Sequence, residues 1–225
     1  SRGLGDVYKR QGEGTIVING VKALSGTEHT VIPDRITAAT YMAAAAVTHG
    51  HLTLRDIIPA HLGPVIPVME EAGCDISICA RDLTISAPPR LHRVHTVRTM
   101  PYPGFPTDAQ APVMAMTAIA DGTSVIIENI FESRYKHVSE LMRLGAHIKV
   151  EGRVAVVEGV PFLSGAPVVA PDLRGGSSLV IAGLSARGNT EITGVRHIDR
   201  GYEKIEESLQ AIGAQIKREI CDETE

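Results

Sequence analysis

Pro171-Asp-Leu-Arg-Gly-Gly-Ser-Ser-Leu-Val-Ile-Ala-Gly-Leu-Ser-Ala-Arg-Gly188 is the clearest copy of a pattern that this chain contains three times. In each copy an acidic residue precedes an apolar segment of small residues, and a glycine follows it. The interval from acid to glycine is equal in the pairs Asp34–Gly50 and Asp172–Gly188, and two positions shorter in the pair Asp108–Gly122. An aspartate favours the start of a helix and a glycine favours its end. The pattern therefore predicts one buried helix per copy.

A second set of glycines extends the repeat. Gly73, Gly145 and Gly213 follow at nearly equal intervals, each before a small residue, a polar residue and an isoleucine. Such regular spacing indicates one supersecondary unit used three times. We interpret the unit as helix–strand–helix–strand–strand, with repeats at about 34–100, 101–168 and 169–220 of a domain over 34–225. The predicted fold class is α/β, an inside-out, barrel-like domain with the first helices inside and the sheets outside.

Two segments precede the repeats. Residues 1–11 lack an initiator methionine and apolar periodicity, and we interpret them as a non-native adapter leader. Residues 12–33 contain the alternating stretch Thr15-Ile-Val-Ile-Asn19 and are predicted to be the strand tail of a preceding domain. The gene fragment is therefore expected to lack an N-terminal domain.

Composition excludes several classes of function. The net charge is −4, aromatic residues make up 4% and there is no tryptophan, which disfavours nucleic-acid binding. Cys74, Cys79 and Cys221 form an odd set without metal-binding spacing, as expected for free thiols in a reducing compartment. No apolar run approaches the length of about 18 residues that would indicate a membrane-spanning helix, so none is expected. We expect a cytoplasmic protein without a metal or cofactor.

Charged residues recur at two equivalent places in the second and third repeats, which we call the corners of a repeat. These are the start of the first helix and the residues just before the second helix. Asp108 and Asp172 start the first helices, Arg174 follows Asp172, and Arg134 and Arg200 precede the second helices. Helix N-termini attract anions, and arginines match phosphate or carboxylate groups. If these five residues converge, they form a site for a multiply anionic substrate, with a carboxylate as base.

Simpler roles are open for the same residues. Each aspartate could be only a helix cap, and each arginine only a surface ion pair. The turn Gly175-Gly-Ser-Ser178 is a weak candidate for a phosphate cradle. In the first repeat Asp34 and His61 occupy the matching corners without an arginine, so we predict that this repeat is structural. His137 is interpreted as a neighbour of the site rather than a catalyst.

Four motifs carry a resemblance to a known family. They are Phe105-Pro-Thr-Asp-Ala-Gln110, Phe131-Glu-Ser-Arg-Tyr-Lys-His137, Pro171-Asp-Leu-Arg-Gly-Gly176 and His197-Ile-Asp-Arg-Gly-Tyr-Glu203. In this order and spacing they resemble the C-terminal half of the UDP-N-acetylglucosamine 1-carboxyvinyltransferases, which are enolpyruvyl transferases. The resemblance implies two inside-out domains of three repeats each, of which this chain carries one.

The resemblance also implies a reaction. The family transfers the enolpyruvyl group of phosphoenolpyruvate to the 3′-hydroxyl of UDP-N-acetylglucosamine and releases phosphate, in the first committed step of peptidoglycan synthesis. By resemblance Asp108 is the general base, and Asp172 is an acid with a role in proton handling. Thr107 and Ile130 correspond to contacts with the nucleotide-sugar. The phosphoenolpyruvate pocket is implied to contain three arginines, namely Arg134, Arg174 and Arg200.

The family's other half supplies a lysine–asparagine pair and a loop with a reactive cysteine. Cys74 does not lie in such a loop, so this chain alone is expected to be inactive. Two alternatives stay open. One is the shikimate-pathway 3-phosphoshikimate 1-carboxyvinyltransferase, although a lysine would then be expected in place of Arg200. The other is a non-catalytic binding module with the same repeat fold.

Overall fold

A computed structural model describes residues 5–9, 16–20 and 22–219. The chain divides into two compact units, Ser1–Pro33 and Asp34–Glu225. In the first unit, strands β1 (Gly5–Lys9) and β2 (Ile16–Gly20) pair antiparallel, with Lys9 opposite Ile16. The backbone of residues 5–9 thus pairs with the alternating stretch, while the interpretation of residues 1–11 as a non-native leader stays a prediction.

The second unit contains the three repeats, and in each of them a first helix is followed by a strand and further helical segments. Repeats two and three also have a short strand before the first helix, which the predicted unit lacks, so they begin at about Thr96 and Pro167, a few residues before the predicted bounds. Repeat one has α1 (Arg35–Val47), β3 (His51–Leu54), a 3-10 turn (Pro59–Leu62), α2 (Ile66–Glu71), β4 (Asp75–Cys79) and β5 (Asp82–Ser86). Repeat two has β6 (Thr96–Arg98), α3 (Thr107–Thr117), β7 (Thr123–Ile127), α4 (Val138–Arg143), β8 (His147–Glu151) and β9 (Val154–Glu158). Repeat three has β10 (Pro167–Val169), α5 (Leu173–Ser185), β11 (Glu191–Thr193), α6 (Arg196–Asp199) and α7 (Ile205–Ala211).

The first helix of every repeat lies in the interior. Helices α1, α3 and α5 contact one another, and each is buried on almost all sides. Their small residues, such as Ala43 in α1 and Ala115 in α3, favour helix and let the three axes approach closely. The sheets lie outside them, with exposed residues such as Ile78 and Val150 on their outer faces. This arrangement confirms the predicted inside-out α/β fold.

The sheet of repeat two is the most complete. Its strand order is β6-β7-β9-β8, with β6 parallel to β7 and the other neighbours antiparallel. Repeat one forms β3-β5-β4, and repeat three forms the parallel pair β10-β11. The predicted unit ends in two strands, the first of which would begin in repeat three at about Gln215-Ile-Lys217. This strand is not observed, since residues 214–219 contain no strand. No hairpin partner lies beside this segment within the described part of the chain, and a strand needs one for its hydrogen bonds.

The second helices end in three equivalent caps. Gly73, Gly145 and Gly213 have φ of 90°, 94° and 103°, a left-handed conformation that glycine adopts without a steric penalty. The Gly145 N–H donates to Met142 O at 2.9 Å, and the next N–H donates to Leu141 O at 3.1 Å. The same two bonds recur at the other glycines, which is the Schellman pattern. The predicted helix ends are thus confirmed.

Helix α5 begins at Leu173, directly after Asp172, as the aspartate predicted. Its first turns include the candidate phosphate cradle, although each of the two glycines there costs about 1 kcal/mol relative to alanine in a helix. A Cβ on Gly176 would lie 2.6 Å from Ile198 Cγ1 of α6. Close packing of α6 on α5 therefore overrides the local preference.

Among the residues described, no helix combines the length and the apolar character needed to cross a bilayer.

Candidate functional site

Two of the three aspartates are helix caps. Asp34 Oδ1 accepts the Ile36 N–H at 2.8 Å at the start of α1. Asp172 Oδ1 accepts the N–H groups of Arg174 and Gly175 at 3.0 and 2.8 Å at the start of α5. These bonds satisfy N–H groups that have no partner within the helix. For these two residues the simpler role is present in the structure.

Asp108 has a different environment. The residue that caps α3 is Pro106, which has no side-chain capping bond, and Asp108 is the second residue of the helix. Its Oδ1 accepts a hydrogen bond from Arg134 Nη2 at 2.6 Å and lies 3.5 Å from Arg174 Nε. The Asp108 side chain is 42% exposed, whereas the two arginine side chains are 18% and 15% exposed. The structure thus joins one accessible carboxylate to two largely buried arginines from two repeats.

The cluster carries surplus positive charge. Two guanidinium groups face one carboxylate, and Arg134 Nε is buried without a hydrogen-bond partner among the described residues. The Arg134 guanidinium lies 5.3 Å from the centre of the Phe131 ring. Partly desolvated arginines with free donors bind phosphate and carboxylate groups well. The arrangement can therefore hold an anion beside a carboxylate that can accept a proton.

Arg200 is not joined to this cluster by a side-chain contact. It follows α6, its side chain is exposed, and it forms no hydrogen bond or ion pair with the residues that the structure describes. Its backbone nevertheless lies near the start of α5. A Cβ on Gly201 would lie 2.9 Å from Leu173 Cδ2, and the Tyr202 hydroxyl accepts a hydrogen bond from Arg174. Of the predicted site arginines, Arg134 and Arg174 meet at Asp108, and the Arg200 side chain has no hydrogen bond or ion pair with them.

Thr107 and Ile130 are both bound to Glu128, a residue that the sequence did not identify. Thr107 Oγ1 donates to Glu128 Oε2 at 2.9 Å, and the Ile130 N–H donates to Oε1 at 2.8 Å. Oε1 also accepts from the Thr99 hydroxyl at 2.8 Å and the Phe131 N–H at 3.1 Å. Glu128 is only 1% exposed, so four donors surround a buried carboxylate. It ties the start of α3 to the loop that leads to the site arginine.

The alternation of inward- and outward-facing residues along β7 could have identified Glu128 as a buried residue. Ser124 and Ile126 are the inward-facing residues of β7, and Glu128 continues the same period of two. A carboxylate on the inner face of a strand must be paired or hydrogen-bonded, because burying it alone is costly. An inward-facing glutamate directly before the Phe131 motif was therefore detectable in principle.

His137 is buried beside the site. Burial lowers its pKa to about 4, while the Asp172 charge acts in the opposite direction and the Arg134 charge adds to the lowering. Its Nε2 has no hydrogen-bond partner among the described residues. The ring is therefore neutral at pH 7, as a packed neighbour of the site would be.

Within the described ranges, no group of histidine, cysteine, aspartate or glutamate side chains is arranged to hold a metal ion.

Comparison with known families gives one match over most of the chain. The family model described as EPSP synthase (3-phosphoshikimate 1-carboxyvinyltransferase) matches residues 5–209.

Curated relatives are identical to this chain at about half of the aligned positions. It is 51% identical over 207 residues to UDP-N-acetylglucosamine 1-carboxyvinyltransferase 2 of Caldanaerobacter subterraneus subsp. tengcongensis, covering 92% of this chain and 50% of that protein. It is 48% identical over 217 residues to the UDP-N-acetylglucosamine 1-carboxyvinyltransferase of Synechocystis sp., covering 96% of this chain and 49% of that protein. The chain thus spans about half the length of the curated relatives it matches.

Solved structures show the same fold. The enolpyruvyl transferase NikO from Streptomyces tendae superimposes with a TM-score of 0.81 at 29% identity, over 96% of this chain and 52% of that one. EPSP synthase from Acinetobacter baumannii superimposes with a TM-score of 0.70 at 22% identity, over 95% of this chain and 53% of that one. The second likeness is one of fold alone.

Proposed function

We propose, on the premise that this chain belongs to the enolpyruvyl transferase family, that it supplies half of the active site of a UDP-N-acetylglucosamine 1-carboxyvinyltransferase. The enzyme would move the enolpyruvyl group of phosphoenolpyruvate to the 3′-hydroxyl of UDP-N-acetylglucosamine and release phosphate. The names of the relatives at 51% and 48% identity support this choice of substrates. The observation that supports the proposal most directly is the position of the Asp108 carboxylate, which contacts both Arg134 and Arg174.

The cluster offers a way to couple binding to base catalysis. In the structure the Asp108 carboxylate is engaged by Arg134 and Arg174. Phosphoenolpyruvate would compete for the arginines with its phosphate and carboxylate, which leaves Asp108 Oδ1 free to accept the proton of the sugar hydroxyl. The hydroxyl oxygen then adds to the enol carbon and the methylene carbon gains a proton. Loss of that proton and of phosphate from the tetrahedral intermediate restores the double bond.

The other predicted residues take supporting roles in this proposal. The arginines, including Arg200, stabilise negative charge as phosphate leaves. Asp172 uses Oδ1 for its cap, and no described residue donates to Oδ2, so this oxygen can serve in proton transfer at the methylene carbon. Thr107 and Ile130, both fixed by Glu128, contact the nucleotide-sugar. No step in this scheme uses a metal or cofactor.

The setting follows from the proposed activity. The reaction would be the first committed step of peptidoglycan synthesis, carried out in the cytoplasm. The remaining cations of the site would come from an N-terminal domain, since the chain spans half the length of its relatives. Without that domain, we expect the chain to bind substrates weakly and not to turn them over.

The shikimate-pathway reaction is the less favoured alternative. The matching family model carries its name, but the solved EPSP synthase is only 22% identical to this chain over the aligned region. A non-catalytic module would have no use for an accessible carboxylate between two largely buried arginines.

A hybrid enzyme tests the proposal. The C-terminal half of the Caldanaerobacter relative is replaced by this chain, and phosphate release from phosphoenolpyruvate is measured with each acceptor. We expect release with UDP-N-acetylglucosamine, none with 3-phosphoshikimate, and none from this chain alone. Release with 3-phosphoshikimate, absence of release from the hybrid, or turnover by the isolated chain would each overturn the proposal.

A further inference from the structure

Tyr202 connects the first repeat to the arginine cluster. Its side chain is buried, and its hydroxyl accepts a hydrogen bond from Arg174 Nη1 at 3.2 Å. The same hydroxyl lies 2.7 Å from Thr40 Oγ1 in α1. The centre of its ring is 5.8 Å from the Arg174 guanidinium carbon. One phenol therefore touches both the third repeat's site arginine and the first repeat's central helix.

The direction of these hydrogen bonds can be assigned by counting protons. The Thr40 hydroxyl has one proton, which it donates to Ile36 O at 2.9 Å. Between the two hydroxyls, Tyr202 must then be the donor and Thr40 the acceptor. Arg174 has only donors, so the Tyr202 oxygen presents a lone pair to it. The bonds run in one direction from Arg174 through Tyr202 and Thr40 to a backbone carbonyl of α1.

Arg174 depends on its hydrogen bond to Tyr202, because its contact with Asp108 is the weaker of the two that Asp108 makes with arginines. Its Nε lies 3.5 Å from Asp108 Oδ1, a longer distance than the 2.6 Å bond that the same oxygen accepts from Arg134. When Asp108 turns to a substrate hydroxyl, this contact weakens further. Tyr202 is then the remaining hydrogen-bond partner that the described residues offer to the Arg174 guanidinium.

We propose that Tyr202 is a positioning residue that holds Arg174 for the anionic enolpyruvyl donor, and that Thr40 fixes the orientation of the Tyr202 hydroxyl. Repeat one thus contributes to donor binding without carrying a charge at the site. This inference rests on the proposed function for its consequence in catalysis. Its structural part concerns only the three side chains of this chain.

The structural part is tested in the 225-residue chain by NMR of the arginine Nε–H groups. We expect Tyr202→Phe and Thr40→Val to shift the Arg174 Nε–H resonance and to speed its exchange with water. Thr40→Ser keeps the acceptor oxygen and should leave the resonance in place. Tyr41→Phe is the matched control, because this phenol is next to Thr40 in α1, whereas the phenol that accepts from Arg174 is that of Tyr202. An unchanged Arg174 resonance in folded Tyr202→Phe would overturn the inference.

The catalytic part is tested in the hybrid enzyme by separating the two Michaelis constants. A hydrogen bond to a charged group corresponds to roughly tenfold or more in binding, so Tyr202→Phe should raise the KM for phosphoenolpyruvate about tenfold. The KM for the sugar nucleotide should change less than about twofold, because Tyr202 touches none of the acceptor contacts. A decrease in kcat should accompany the higher KM for phosphoenolpyruvate, since Arg174 also stabilises the departing phosphate. Equal increases of both KM values, or a loss confined to kcat, would contradict a role in donor binding.

The two readouts separate the possible failures. A hybrid that releases no phosphate before any substitution counts against the proposed function, whereas the Arg174 resonance still decides the inference. If Tyr202→Phe moves the resonance but not the KM for phosphoenolpyruvate in an active hybrid, the positioning role is wrong. The double variant Tyr202→Phe/Thr40→Val should match Tyr202→Phe alone, and additive effects would contradict a single chain of bonds.

Discussion

Repeats one and two are built from the same unit, yet their first acids have opposite roles. Asp34 directs both oxygens into its own helix, to the Ile36 N–H at 2.8 Å and the Thr37 hydroxyl at 2.9 Å. Asp108 bonds no N–H of its helix and faces two arginines instead. The comparison shows that an acid at a helix start becomes available for chemistry when another residue occupies the cap.

The spacing of the landmarks explains the difference. The residues that cap the first helices are Asp34, Pro106 and Asp172, and all three stand at the same interval before the glycine of their repeat. Asp108 stands two positions closer to its glycine and therefore lies inside the helix. The shorter interval thus identifies the acid that is not a cap.

The largest expected effect comes from removing the acid itself. Asp108→Ala in the hybrid enzyme should lower kcat by roughly 10²–10⁴, the range for loss of a positioned general base. Steady-state phosphate release measures it. Asp34→Ala is the control in repeat one and should leave turnover intact while costing about 1 kcal/mol of stability as a lost cap. If the two substitutions impair kcat equally, the distinction between cap and base fails.

The Arg200→Ala variant tests whether the third repeat contributes to the site, although the Arg200 side chain forms no hydrogen bond or ion pair with the described residues. Arg200→Ala should raise the KM for phosphoenolpyruvate by a factor equivalent to about 2–5 kcal/mol, as for one partner of a desolvated charge pair. Arg196→Ala, in the short helix that precedes Arg200, is the control and should change the KM less than about twofold. An Arg200 variant with an unchanged KM would exclude this residue from the site.

Repeats one and two can also be compared by the stability that is lost when Glu128 or its counterpart is removed. Its counterpart in repeat one is Asp56, which stands at the same interval after the landmark glycine but is exposed and paired with Arg81. Glu128→Ala leaves four donors without their acceptor and should lower the free energy of unfolding by about 3 kcal/mol or more. Asp56→Ala should cost at most about 1 kcal/mol. Urea unfolding of the chain measures both, and similar losses would show that the buried network is dispensable.

A smaller and pH-dependent effect is expected at His137. Its pKa is about 4 in the folded chain and about 6.5 when unfolded, so the unfolded chain binds more protons between these values. The free energy of unfolding should therefore fall as the pH drops from about 6.5 towards 4, by up to about 3 kcal/mol from this residue. Above about pH 6.5 this contribution is constant.

The matched variant is His137→Val, because Val65 holds the same position at the start of the second helix in repeat one. This variant should lose the part of the pH dependence due to His137, whereas His147→Val, on an exposed strand position, should keep it. Urea unfolding at pH 7 and pH 4.5 gives the comparison. The same pH dependence in wild type and His137→Val would contradict a buried neutral ring.

Much of the fold was predictable because its signals are local. The glycine spacing and the apolar periods of the three units indicated every first helix, the paired strands and the inside-out arrangement. The helical state of the two glycines in the first turns of α5 was not predictable from local preference, since Gly176 packs against Ile198, a residue distant in sequence. The missing strand at 215–217 depends in the same way on a partner and not on its own composition.

The site was predictable in kind but not in detail. Motif order and corner charges indicated that Asp108, Arg134 and Arg174 would meet, and they do. The position of the Arg200 side chain could not be predicted, because an exposed residue at the end of a short helix has little packing to fix it. The role of Tyr202 could not be predicted from the sequence, because its partner Thr40 lies in a different repeat, far away along the chain.

The contact beneath α6 has a consequence for how the third repeat can vary. Helix α6 packs directly against the backbone of α5 at Gly176, where an added Cβ would lie 2.6 Å from Ile198 Cγ1. Arg200 follows directly after that helix, so the position of its backbone depends on this close contact between α6 and α5. A side chain at position 176 would push α6 away from α5 and would displace the backbone of Arg200 with it, without any change to a charged residue.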